Sequence, residues 1–185
     1  MTTSSPFLTD VATLRQRARQ HIEEGAITNS YGANRETVIG LLNDALATEL
    51  LCVLRYRRHH FMAAGLSANS VAQEFMQHSV EEQAHADEIA SRIVQLRGEP
   101  NFSPDSLSSR SHAEYVECDS LVEMIKENLV AERIAIDSYR EMIIYLGDND
   151  TTTRRMLEGI LAMEEEHADD LLTLVEKYVP GEHKT

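Results

Sequence analysis

Four stretches of this chain repeat apolar residues at alternating steps of four and three, the period of one buried helix face, and each interrupts the repeat with an acid at its middle. The first carries Val38, Leu42, Ala45, Glu49, Cys52 and Tyr56 over residues 36 to 64 and stops at Gly65. The second carries Val71, Phe75, His78, Glu82, His85, Ile89, Ile93 and Leu96, and ends before Gly98 and Pro100. The third runs Leu121, Ile125, Asn128, Glu132, Ile136, Tyr139, Ile143 and Leu146 to Gly147. The fourth holds Leu157, Ile160, Glu164, His167, Leu171, Leu174 and Tyr178, with Pro180 and Gly181 beyond. Such stripes exclude most architectures other than an all-α bundle. The absence of Trp, with only 4 Pro and 8 Gly, agrees with helices throughout.

Short connections at Gly65 to Ser67 and at Gly147 to Asp150 make the helices they join antiparallel neighbours, with Asp148, Asn149 and Asp150 supplying caps and a tight turn. The stretch from Gly98 to about Asp119, including NFSPDSLSSRSH, reads as a long loop. Helices of this size span about 40 Å and twenty extended residues reach roughly 65 Å, so this loop can run the height of a bundle. The expected fold is therefore a four-helix bundle with a long crossover between helices 2 and 3, which then run parallel. Residues 36–179 form the bundle of this single-domain chain of 185 residues. Residues 1–35 are an extension with a short helix over about 10–24, a flexible linker GAITNSYGAN and a disordered start over residues 1 to 9, and residues 180–185 are a tail.

The interruptions are ordered. Glu49 and Glu82 stand 33 residues apart and Glu132 and Glu164 stand 32 apart, so the chain looks like two copies of one helical hairpin. In each hairpin the arms to the turn are similar in length, which sets its two glutamates at about the same height. Glu82 with His85, and Glu164 with His167, form Glu-x-x-His pairs, and residues three apart share a helix face. The pattern aims four carboxylates and two imidazoles at one centre. Four carboxylates in a low-dielectric interior repel one another and resist ionisation unless positive charge accompanies them. Two divalent cations neutralise four glutamates, and two neutral histidines complete their ligand sets. The flanking Glu81, Asp87, Glu165, Glu166 and Asp169 read as a solvated face. His78, one turn before Glu82, reads as a buried hydrogen-bonded histidine or as a group supporting or relaying metal, and Tyr139 as packing rather than an electron donor.

The formal charge of −14 excludes nucleic-acid binding through the whole surface. Arg15, Arg17 and Arg19 remain as a local basic cluster, offset by Glu23 and Glu24. Cys52 and Cys118 have neither zinc-ligand spacing nor the density of a disulfide scaffold, which fits a reducing compartment. The N-terminus lacks a basic region followed by an apolar one, and no apolar run is read as long enough to cross a bilayer. A soluble, cytoplasmic protein is expected.

The stretches LLNDALATELLCVLRY, SVEEQAHADEIASRIVQLRGEPN, NLVAERIAIDSYREMI and GILAMEEEHADDLL resemble the bacterioferritin and Dps-like branch of the ferritin superfamily in order and spacing, over nearly all of residues 36 to 178. The resemblance implies a ferritin-like bundle holding two iron ions per chain, with manganese or zinc able to take the same ligands in vitro. It makes Glu49 and His85 terminal ligands of one iron, Glu132 and His167 of the other, and Glu82 and Glu164 bridges, with Tyr56 hydrogen-bonding nearby. Three departures qualify it. The methionine that ligates haem in bacterioferritins is Gln83 here, so haem is not expected. The chain ends soon after the fourth helix, which favours a homo-oligomeric shell of 12 subunits over 24. Dps-like thioferritins carry a cysteine pair near such a site, and here Cys118 is placed in the third helix but Cys52 in the first, as core packing.

The activity expected from the resemblance is that of a ferroxidase, taking Fe(II) with O2 or H2O2 for iron storage, detoxification and protection against oxidative stress. The alternatives are a di-iron or di-manganese enzyme without storage, of peroxidase, oxygenase or catalase type, and a Dps-like shell that protects DNA.

Overall fold

A computed structural model describes residues 9–63 and 68–178. The turn at Gly65, the start of the chain before residue 9 and the tail from residue 180 lie outside the described residues. Within them the chain is all helical: α1 (Val11–Arg17), α2 (Arg35–Met62), α3 (Asn69–Gln95), α4 (Leu107–Arg110), α5 (Leu121–Leu146) and α6 (Thr151–Tyr178), with single 3-10 turns at Ile22–Glu24 and Pro104–Ser106.

The four long helices start and stop where local chemistry directs. Asn34 caps α2 by accepting from the Thr37 amide, and Ser120 and Glu123 form a reciprocal capping box on α5. Gly147, at φ 47°, takes the left-handed turn that ends α5. The Asp150 carboxylate accepts from the Thr153 amide at 2.9 Å and opens α6. α2 packs along α3 and α5 along α6, giving two antiparallel hairpins that face each other through α2 with α5 and α3 with α6.

The crossover climbs back along α2. The Asn101 amide donates to Asn43 (2.8 Å), the His112 amide to Thr48 (3.0 Å), and Arg55 donates to the Glu114 carbonyl (2.8 Å). Arg58 reaches the Glu117 carbonyl near the far end. The chain therefore regains the starting end of α3 before α5 begins, so α3 and α5 run parallel as expected. The segment is not a plain loop, because Pro104–Ser106 and α4 fold it into two short turns. Cys118 lies in this crossover at φ 57°, ahead of α5 rather than inside it.

Three further expectations are corrected. The N-terminal helix is only α1, broken before the turn at Ile22, because it buries none of its residues and an isolated helix this short gains little from hydrogen bonding alone. The linker is a packed strap: Ile27, Tyr31 and Ala33 lie against the core, and the Tyr31 hydroxyl donates to Asp150 at 3.0 Å. α2 also contains an 18-residue stretch of mean hydropathy 1.6, long and apolar enough by composition to cross a membrane, contrary to the sequence reading. That stretch is 56% buried inside the bundle, and α2 buries Glu49 and Arg55 besides, the profile of a core helix.

Candidate metal centre

The apolar core is in two parts. One end of the bundle packs Leu42, Leu46, Ile89, Ile93, Tyr139, Leu146, Leu157 and Ile160, and the other packs Leu51, Tyr56, Phe75, Ile125, Leu171 and Val175. Between them each long helix turns a polar side chain inward. Glu49 comes from α2, Glu82 and His85 from α3, Glu132 from α5, and Glu164 and His167 from α6, none more than 7% exposed.

All six predicted residues meet. Glu49, Glu82, His85 and Glu164 each offer a ligand atom within 4.8 Å of the others, and Glu82, Glu132, Glu164 and His167 do the same, so Glu82 and Glu164 belong to both groups. His85 Nδ1 lies 3.1 Å from Glu164 Oε1, 3.4 Å from Glu49 Oε2 and 3.5 Å from Glu82 Oε2. His167 Nδ1 lies 3.6 Å from both Glu82 Oε1 and Glu164 Oε2.

The outer contacts fix which atoms face the centre. The Tyr139 hydroxyl donates to Glu49 Oε1 and the Tyr56 hydroxyl to Glu132 Oε1. Burial, followed by the carboxylates around them, keeps both phenols well above their ordinary range, so they stay protonated as donors. Each terminal glutamate thus has one oxygen tied and the other, Oε2, without a partner. His167 Nε2 bonds to Glu81 Oε2 at 3.0 Å; with the proton on Nε2, the Nδ1 lone pair points at the glutamates. Glu81 was read as solvated and is instead the residue that orients His167. Glu165 does belong to the exposed face, paired with Arg140 at 2.6 Å.

Charge in this pocket is shared unevenly. Burial, then the Glu82 carboxylate, pushes Glu49 up to about 8, and burial with Glu82 and Glu164 pushes Glu132 well above the carboxylate range. Burial and a neighbouring carboxylate press Glu82 and Glu164 upward as well, but their contacts to the histidines and other glutamates outweigh this and leave both lowered. Burial opposes charge on His85 and His167, yet the surrounding carboxylates win, raising His85 strongly and His167 to about 11.

This is a pocket that needs cations. Every one of the six residues has a buried nitrogen or oxygen with no hydrogen-bond partner, a costly state for an apolar interior unless something positive is held there. Oxygen-rich sets with one imidazole per side suit iron, manganese or zinc, whose bonds to such ligands are about 2.0–2.2 Å. The residues present fit two divalent ions.

Three features surround the pocket, of which only the buried, hydrogen-bonded place of His78 was legible in the sequence. Arg55, His59 and Asn128 form a buried cluster in which Arg55 Nε donates to Asn128 Oδ1 at 3.1 Å and His59 Nδ1 lies 3.1 Å from the same oxygen. Arg92 donates to both Asp150 oxygens, at 2.9 and 3.2 Å, joining α3 to the start of α6. His78 stacks on His167 with ring centres 4.1 Å apart. Of the other sequence candidates, Gln83 is on the outer face, bonded to Asp87 at 3.0 Å, and Cys52 is buried in the core as read. Arg15, Arg17 and Arg19 are exposed on or just after α1.

Comparisons with known proteins identify the family and the fold. Residues 39–178 match the ferritin-like domain family. The bacterioferritin of Rhodobacter capsulatus is 32% identical over 144 residues, covering 76% of this chain and 84% of that protein. A dodecameric thioferritin, the bacterioferritin-related protein of Bacteroides fragilis, superposes with a TM-score of 0.75 at 31% identity, over 83% of this chain and 94% of its own. A structure of R. capsulatus bacterioferritin, with a metal-free dinuclear site and a haem iron, superposes at 0.70 and 28% identity, over 77% and 86%. With the matched region spanning nearly all of the bundle, this chain belongs to the ferritin-like family, in its bacterioferritin branch.

Proposed function

We propose that this protein is a ferroxidase, with Fe(II) as substrate and the six-residue pocket as its reaction centre. The observation that carries the reading is the pair of overlapping ligand groups sharing Glu82 and Glu164, each residue ending in an unpartnered donor atom. Glu49 and His85 hold one Fe(II), Glu132 and His167 the other, and Glu82 and Glu164 lie between them. Carboxylate oxygens favour the ferric over the ferrous ion, so this ligand set promotes oxidation. With hydrogen peroxide, two Fe(II), one H2O2 and two protons give two Fe(III) and two waters. With dioxygen, two Fe(II), one O2 and two protons give two Fe(III) and H2O2. The tyrosine hydroxyls on Glu49 and Glu132 keep one oxygen of each turned away, leaving the other for metal.

Storage follows if the ferric product leaves and mineralises within a closed homo-oligomer. The bundle presents large apolar side chains to its surroundings, among them Phe61 (75% exposed) and Ile144 (79%), which a subunit interface covers. Twelve subunits is the size we favour, since the dodecameric relative matches nearly its whole length. Gln83 has no thioether to offer haem, and we infer none at that position.

The test is an anaerobic Fe(II) titration of metal-free protein followed by air or peroxide, with a Glu82→Ala/His85→Ala variant alongside. Ferric absorbance that keeps growing past about two irons per chain, the capacity of such a centre, together with a slow variant, is the expected result. Growth that halts at two replaces storage with a redox enzyme, and a variant as fast as the parent removes the site assignment.

A further inference from the structure

His78 takes no part in the dinuclear centre, yet it is 1% exposed and stacked on a residue that does. Its Nδ1 lies 3.2 Å from the Tyr56 hydroxyl. The single hydrogen of that hydroxyl points to Glu132, so the contact is an Nδ1–H donating to the tyrosine oxygen. Neutral His78 then carries its lone pair on Nε2. This atom is buried without a hydrogen-bond partner and faces Glu74 Oε1 at 3.5 Å and Asp170 Oδ2 at 3.8 Å. A lone pair against two carboxylates is repulsive unless a cation lies among them.

The spacing suits one. Glu74, His78 and Asp170 offer atoms within 4.8 Å of one another, contributed by α3 and α6. Ligands about 2.1 Å from a single ion stand about 3.0–3.5 Å apart at octahedral or tetrahedral angles. Glu74 and Asp170 have side chains 35% and 50% exposed, so small rotations close the remaining gap. One imidazole and two carboxylates also balance a single divalent charge. His78 belongs to a second such group with Glu132 and His167, so the ring stands between the outer acids and the inner centre.

We propose that Glu74, His78 and Asp170 form a third site for a divalent first-row cation, from which the dinuclear centre is loaded. The loading role rests on the ferroxidase reading; the site itself does not.

Zinc, which does not oxidise, is the probe. Equilibrium dialysis of the metal-free protein should give about three zinc ions per chain, and a Glu74→Gln/Asp170→Asn variant about two, since the carboxylate and imidazole donors of the inner centre are untouched. Only two ions on the parent, or three on the variant, overturns the site. A Glu82→Ala/Glu164→Ala variant should keep the outer ion and lose the inner pair; retention of all three would sink the dinuclear reading and leave the outer site to the first comparison. For loading, the half-exposed Asp170→Asn change should raise the apparent KM for Fe(II) about threefold or more. An unchanged KM beside a lost zinc ion refutes the loading role.

Discussion

Loading the metal-free protein with two divalent ions should expel about four protons per chain at pH 7. The six inner side chains carry a charge of −4 when fully deprotonated, and a buried pocket does not hold that charge uncompensated. Metal-free, the compensation is protons: burial, then the Glu82 and Glu164 carboxylates, pushes Glu132 well above the ordinary carboxylate range, the surrounding carboxylates raise His85 and His167 far into the protonated range, and Glu49 titrates at about 8. At pH 7 a group titrating at about 8 is roughly 0.9 protonated. With Glu82 and Glu164 lowered and charged, two carboxylates face two imidazoliums and the pocket is neutral. Two divalent ions against four carboxylates and two neutral imidazoles are neutral as well, so the exchange is about four protons for two ions. Calorimetric zinc titration in buffers of different ionisation enthalpy reads this number from the slope of heat against buffer enthalpy. The sign in pH follows from Glu49. As pH rises through about 8, Glu49 gives up its proton before metal arrives, and release falls to about three by pH 9. Release of two or fewer protons at pH 7 would refute the reasoning, because the empty pocket would then hold a net negative charge.

Other consequences are more local. Arg92→Ala strands the buried Asp150 carboxylate and should cost about 3–5 kcal/mol in urea unfolding of the metal-free protein; a loss below about 1 kcal/mol would show that Thr153 and Tyr31 suffice. Burial pushes the Asp150 carboxyl up, but the Thr153 bonds, Tyr31 and Arg92 outweigh it and hold it below the ordinary 3.8. Its contribution is therefore complete above that value and lost as pH falls through the lower folded one, and Asp150→Asn should flatten the stability profile below about pH 4. Glu81→Ala frees the outer nitrogen of His167 and should weaken zinc binding about 10–100-fold, with metal-free stability little changed because Glu81 is partly exposed. Tyr139→Phe leaves Glu49 Oε1 without its donor and should slow Fe(II) oxidation by a similar factor in stopped-flow absorbance.

What the sequence displayed and what it concealed separate along one physical line. The stripes are periodic along the chain, and a Glu-x-x-His pair is three residues long, so both are visible without knowing what lies opposite. Glu49 and Glu132 were legible because the hairpins repeat, which transfers height from one helix to its neighbour. Partnerships across the bundle left no such trace. Glu81 to His167 spans 86 residues, Tyr31 to Asp150 spans 119, and Tyr139 to Glu49 spans 90. Glu81 sits one position from the stripe and looks solvated until α6 brings His167 across. The strap from Ile27 to Ala33 has the composition of a linker, and only the apolar end of the bundle makes it structural.

The two-part core explains how a centre so costly to bury is kept in shape. A continuous apolar interior would let the four helices slide, since leucine packs against leucine in many registers. Here each apolar block stops at the polar layer, and the inner side of that layer is fastened from both ends. Tyr139, in the block that holds Leu146, donates to Glu49 on the opposite hairpin, and Tyr56, in the block that holds Phe75, donates to Glu132. Each of these bonds joins α2 to α5 across the two hairpins, and their two directions are opposed, so sliding either helix by one turn would break both. The hairpins hold together through apolar contact, whereas the register between them is fastened by polar bonds, Arg92 to Asp150, Arg55 to Asn128 and Glu81 to His167 among them, and at the centre by the hydroxyls that also decide which glutamate oxygens face the metal. At the centre, fold specificity and ligand geometry thus share the same interactions, which is why the tyrosines belong with the six acids and histidines when the centre is described.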